Sequence, residues 1–286
     1  MNKWTIFFFL FTLIAIITII YAFKYISSPA ITYFPLNEER SFVEAESKLS
    51  LVAENAKDRF EMKWTTDSKS DQPFYLRQDA SLLFENGLLR GVRSKWVQDT
   101  DEIHIEERLL QEDSSYFQVI SFHHGEIHDD GSEITSIHRI TTDYLYVIDS
   151  PATALESFKE PGNDFEAEWK NLLDRASKQQ LLFHWHQLFT YYDINQKDYL
   201  AVPLTQLDKY QDEPLPSMTQ AETDKIIGQL WEGLYKNYII PIVSEDADRA
   251  HSYIPIVLFD KNQEHLQVLF ELNGEKQQLL QKYGLE

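Results

Sequence analysis

Apolar side chains change their spacing several times along the chain. Trp4 to Phe23 (WTIFFFLFTLIAIITIIYAF) is an uncharged run of twenty residues, and at about 1.5 Å per residue it matches a hydrocarbon core of about 30 Å. The run is longer than a secretory apolar region and is followed by Lys24, Tyr25 and SSPA rather than a small-x-small cleavage site. An uncleaved N-terminal transmembrane helix over residues 1–29 is the expectation. From Asn37, Phe42, Ala45, Leu49, Val52, Ala56 and Phe60 recur at steps of three and four. That spacing predicts a membrane-proximal amphipathic helix reaching to Trp64, with Asn37 as its cap. The polar TTDSKSDQP, Thr65 to Pro73, reads as a loop.

The period then drops to two. Asn86-Gly87 lies between apolar runs, a strong signal for a two-residue hairpin because both turn positions need positive φ. EIHIEERLL, SYFQVISF, EITSIHRI and YLYVID follow without helical spacers, which predicts an antiparallel meander to about Ser150. Asp164 to Tyr192 is helical in period, but its apolar face moves from Phe165, Trp169, Leu172, Leu173 and Ala176 to Leu181, Trp185, Leu188 and Tyr192. Such a shift calls for a break near Ser177 to Gln180 or a change of packing partner.

Thr219 and Glu222 form a capping box before the stripe Ile227, Leu230, Trp231, Leu234 and Tyr235. YIIPIV, YIPIVLF and LQVLFEL read as strands, the two prolines marking edges or bulges, and EKQQLLQKY reads as a short final helix. The whole is α+β: an N-terminal transmembrane helix, an antiparallel β-meander with a packed helix, then a helical and β second half. Its divisions are an anchor at 1–29, a membrane-proximal helix plus antiparallel sheet at 30–150, and a helical and β subdomain at 151–286.

Charge sharpens the location. The chain carries 46 acidic against 26 basic residues, a net of -20, and the anchor holds only Lys3 and Lys24 of these. So acidic a domain is repelled by the anionic cytoplasmic leaflet and by nucleic acid. Lys3 on one side of the span nearly balances Lys24 and Arg40 on the other, so the acidity decides the orientation: N-terminus in, domain outside. Zero cysteines remove disulfides, a thiol nucleophile and cysteine-ligated metals. The absence of an Asn-x-Ser/Thr sequon suits a bacterial envelope protein.

One stretch resembles a chemical signature. In SFHHGEIHDDG, Ser121 to Gly131, a regular strand would set His124, Glu126 and His128 on one face. With His138 from the next strand, imidazole and carboxylate donors of this kind suit a divalent metal. The competing reading takes Asp130-Gly131 as a tight turn. An unbroken register then pairs Ile120 with Thr141, whereas a bulge at Gly125 pairs Ile120 with Ile140 and Phe122 with His138 and breaks the histidine alignment. His184 and His186 lie two apart on a helix and diverge by about 200°, so they share no metal.

No G-x-S-x-G, H-E-x-x-H, P-loop or G-x-G-x-x-G pattern is present. The aromatic residues Trp185, Phe189, Trp231 and Tyr235 offer a partner-binding surface instead, since interfaces favour such side chains. The expectation is a single-pass, membrane-anchored extracytoplasmic accessory or regulatory protein. It binds a protein or envelope partner, carries no cofactor and does no catalysis. The alternative is a metal-dependent envelope hydrolase built on His124, Glu126 and His128.

Overall fold

The computed structural model describes residues 33–55, 59–128, 133–150, 154–245 and 250–283. The expected anchor, Trp4 to Phe23, lies outside them; among the described residues no helix is long and apolar enough to cross a membrane. The α+β expectation is overturned. Strands make up 52% and helices 27%, and the larger sheet is a nearly closed barrel.

That sheet contains β1 (Phe42–Asn55), β2 (Arg59–Glu85), β3 (Leu88–Gln111), β4 (Ser115–Ile127), β5 (Thr135–Ile148) and β6 (Glu156–Phe158). All its pairings are antiparallel. β2 organises it. β3 follows one edge of β2 throughout, while β1 and then β4 occupy successive stretches of the other edge. The Asn86-Gly87 turn forms as expected, with φ of 49° and 85°. β1 closes toward β5 through the Leu49 amide, which donates to Asp143 Oδ2 at 2.8 Å, and a Ser47–Thr141 hydroxyl contact of 2.7 Å.

The expected helix from Asn37 to Trp64 is therefore strand β1 and the start of β2. Ser47 and Leu49 point inward between exposed Glu44, Glu46 and Lys48, an alternation hidden by a hydroxyl at one inward position. The expected loop at Thr65 to Pro73 is strand for the same reason, since Thr66, Ser68 and Ser70 face the interior. An apolar cluster of Leu49, Phe60, Met62, Trp64, Leu83, Phe117, Val119, Leu145 and Val147 fills one end of the barrel. Phe42, Phe74, Ile127 and Ile137 close the other.

A second antiparallel sheet has the order β10 (Glu275–Lys282), β9 (His265–Leu272), β8 (Ile256–Asp260), β7 (Tyr199–Pro203). Helix α1 (Asp164–Tyr191), capped by the Asn163 side chain, runs without a break and lays Leu188 and Phe189 on one face of this sheet, against Ile256, Leu258 and Leu269. The other face receives Tyr238 against Phe270 and Tyr210 against Phe259. Helix α2 (Gln220–Leu234) starts at the expected capping box. The turn at Asn86-Gly87 docks here, Gly87 accepting from the Ile254 amide at 2.9 Å. A Cβ on Gly87 would fall 2.9 Å from Leu181 of α1.

Two further expectations reverse. YIIPIV is not a strand. Tyr235–Ile239 forms a π-helical turn and Ile240–Glu245 the short helix α3, so that Tyr235, Tyr238, Ile239 and Ile242 are all buried. The wider turn lets Pro241 enter a helix without its usual clash with the preceding turn. EKQQLLQKY is not a helix but forms the edge strand β10, none of whose residues is fully buried.

Candidate functional site

β4 passes straight through Gly125, and its ladder with β5 pairs His124 with His138, Glu126 with Ser136 and Ile120 with Thr142. Neither expected register occurs. Gly125 is not a bulge; it gives way to Phe74, whose Cδ2 would lie 2.6 Å from an added Cβ. Strict alternation therefore sends neighbouring histidines to opposite sides of the sheet.

His123 points inward and is fully buried. Its Nδ1 lies 2.8 Å from Asp79 Oδ2 and its Nε2 2.9 Å from the Thr141 hydroxyl. The ring thus bridges Asp79 on β2 and the Thr141 hydroxyl on β5. Ser68 donates to Asp79 Oδ2 at 2.6 Å and receives Arg77 Nη2 at 2.5 Å. Arg77 also donates through Nη1 to Ser70 and to the Asp101 carbonyl. Around them Ser47, Ser121, Ser81, Thr66 and Trp64 Nε1 continue the hydrogen bonds.

Arg77, Asp79 and His123 are each 0% exposed. Burial lowers the guanidinium pKa, opposed by Asp79 and Asp101. A carboxylate, an imidazole and a hydroxyl in this order form the connectivity of a nucleophile-activating relay. Sealed inside a barrel, the same order acts as a lock on the strands. Sequence reasoning missed it because Arg77 and Asp79 sit within QPFYLRQDAS, where nothing separates inward charges from solvated ones.

His124 points outward beneath α2. Phe122 stacks on Trp231 at 4.8 Å and lies 5.5 Å from His138 and 6.2 Å from His124, ring centre to ring centre. The chain after the expected anchor is wedged here as well. The Tyr33 amide donates to Glu232 at 2.9 Å, and a Cβ on Gly228 would lie 2.6 Å from the Tyr33 ring and 3.3 Å from His138. Loss of hydration, with the neighbouring His124 ring, pushes His138 down to about 4.

The unfolded chain takes up a proton near the ordinary value of 6.5, which folded His138 refuses until about 4, so acidification through that window removes stability. Well above 6.5 neither state holds the proton and His138 adds no pH dependence. In chelator-treated protein, His138→Phe is expected to melt with a shallower loss between pH 6.5 and 4 than wild type; parallel pH curves would refute this.

Farther along the same face the Glu126 carboxylate has His124 Nε2 at 3.9 Å and His128 Nε2 at 3.4 Å. His128 stacks on Tyr75 at 3.8 Å. The donors expected from sequence thus share one face, with Glu126 between the two rings. His138 adjoins them as the cross-strand neighbour of His124. A separate group, Asp260, Glu264 and His265, brings its ligand atoms within 4.8 Å of one another. There the Asp260 carboxylate already accepts the Asn262 and Glu264 amides of its own turn.

The aromatic residues expected to bind a partner lie inside. Trp231 is fully buried, Tyr235 and Phe189 are 5% and 8% exposed, and half-buried Trp185 donates to the Ile254 carbonyl at 2.8 Å. Exposed apolar area lies instead on the opposite side of α1, where Phe165, Leu172 and Phe183 are 38%, 55% and 61% exposed. The fold and its interior define a barrel-like β protein with a hydrogen-bonded polar heart and a helix-covered second sheet. No family model, curated protein or solved structure matches the chain.

Proposed function

We propose that this is a single-pass, membrane-anchored extracytoplasmic accessory protein that binds a helix of a protein partner and does no chemistry of its own. The anchor rests on the Trp4 to Phe23 run, and the outside location on the acidity of the domain. The observation that carries the binding role is the outward side of α1. Phe165, Trp169, Leu172, Ala176, Gln179, Phe183, His186 and Thr190 recur at alternating steps of four and three. Trp169 is half-buried and the others are exposed.

A spacing of 3.5 residues keeps a seam facing a second helix along its length; Trp169 packs against Tyr146, Phe158 and Leu173, and the other seam side chains are exposed. Each large apolar side chain on it gains about 1.5–3 kcal/mol on full burial, so a partner helix has a strong reason to dock. A photo-crosslinker replacing Lys178, beside the seam, is expected to give one discrete heterologous adduct in membranes. Leu172→Glu with Phe183→Glu should abolish the adduct and leave the melting temperature unchanged. The same adduct in that double variant, or adducts only with a second copy of this chain, would overturn the reading.

A further inference from the structure

We propose that Arg40, Arg139 and the His138 backbone amide form a binding site for a phosphate group. The three residues line one cavity of about 180 Å³, in the gap between the start of β1 and β5. Its other walls are Leu36, Asn37, Ser41, Phe42 and Ile137, so no carboxylate lines it, in a chain where 46 acidic residues outnumber 26 basic ones. A second cavity also has two arginines, Arg59 and Arg90, but there Glu112 and Glu85 stand in the same walls and pair with them. Among the described residues the Arg40 and Arg139 side chains have neither an ion-pair partner nor a hydrogen-bond acceptor. Like charges lining one small space repel, and an anion between them reverses the sign of that energy.

The backbone supplies a third donor. On the open edge of β5 the Ser136 amide donates to the Pro35 carbonyl at 2.9 Å and the Ile140 amide to Gln211 Oε1 at 2.7 Å. Alternation along a strand turns the His138 amide the same way, and among the described residues it meets no acceptor. The turn that carries Arg40 is fixed to this edge. Asn37 Oδ1 accepts the Glu39 and Arg40 amides, and its Nδ2 donates to the Thr135 hydroxyl at 3.0 Å. Glu38 and Glu39 on that turn are exposed and lie outside the cavity walls. One guanidinium fork already satisfies the two oxygens of a carboxylate, whereas the tetrahedral oxygens of a phosphate group take two forks and an amide together.

The site stands independently of the seam on α1. Its test is calorimetric titration of the full-length chain, in non-ionic detergent at low salt, with inorganic phosphate and separately with phosphatidylglycerol. The expected result is saturable binding of one phosphate group per chain, weakened about tenfold or more by Arg40→Gln and by Arg139→Gln. Saturation by inorganic phosphate marks a free ligand, and saturation by phosphatidylglycerol alone marks a lipid headgroup. Neither arginine side chain is bonded to the rest of the fold, so both variants should keep the wild-type melting temperature in phosphate-free buffer.

Arg175→Gln removes an exposed arginine of α1 that also lacks an acceptor, and it should leave the titration unchanged. Two outcomes overturn the proposal. One is a folded wild type that neither probe saturates. The other is binding that survives either Arg40→Gln or Arg139→Gln, or that is lost in Arg175→Gln.

Discussion

Asp79→Ala should destabilise the domain by about 3–5 kcal/mol, the cost of leaving a buried charge without its partner. The substitution removes the shared acceptor of Ser68 and His123, and it takes from wholly buried Arg77 the stronger of its two countercharges, Asp79 and Asp101. Chemical denaturation of wild type and variant measures the difference, and a loss under about 1 kcal/mol would show that the network relaxes around the gap. A second substitution tests the cause. Arg77→Met added to Asp79→Leu should recover more than half of the loss, because a well-packed apolar pair replaces an ionic one at little net cost.

Trp231→Ala should also cost about 3–5 kcal/mol, the range for deleting a large buried aromatic, but through a different mechanism. Trp231 is fully buried and stacked on Phe122. Its removal opens a cavity between α2 and the barrel and lets water reach His124 and His138. The two variants should therefore differ in pH response: the His138 pKa, followed by NMR, should rise toward its ordinary value in Trp231→Ala and stay depressed in Asp79→Ala. Unchanged titration in both would sever the proposed link between the stack and the histidine.

Where the sequence was legible, side-chain type and side-chain position agreed. Asn86-Gly87, the Thr219–Glu222 box and the helix from Asp164 obey local rules that tertiary contacts reinforce, and they stand where those rules place them. Where it was illegible, the interior was polar. Ser47, Thr66, Ser68, Asp79, Ser81, Ser121 and His123 occupy inward strand positions, so a pattern search that equates inward with apolar saw a helix at β1 and a loop within β2.

That His124, Glu126 and His128 share one face of a strand was legible because alternation along one strand needs no partner to be recognised. Their register with β5 was not, because the turn joining the strands does not fix it and β4 runs unbroken through Gly125 with Phe74, 51 positions away, packed against it. The expected aromatic surface failed for a related reason. Stripe position on a helix marks two possible sides, and on α1 the side with Trp185 and Phe189 packs on the second sheet while Phe165 and Phe183 face water.

The closure of β1 onto β5 has a consequence for how the chain comes to be folded. Ser47 and Leu49 meet Thr141 and Asp143, each pair 94 residues apart in sequence. The first strand to be synthesised can pair with β2 at once, yet its other side stays open until β5 has emerged. Closing so long a loop is slow compared with forming local hairpins. During that interval the open edge carries the Ser47 hydroxyl, which water can solvate, beside the apolar Leu49. The hydroxyls at the interior of the seam thus lower the apolar area that the half-made barrel exposes before β5 arrives.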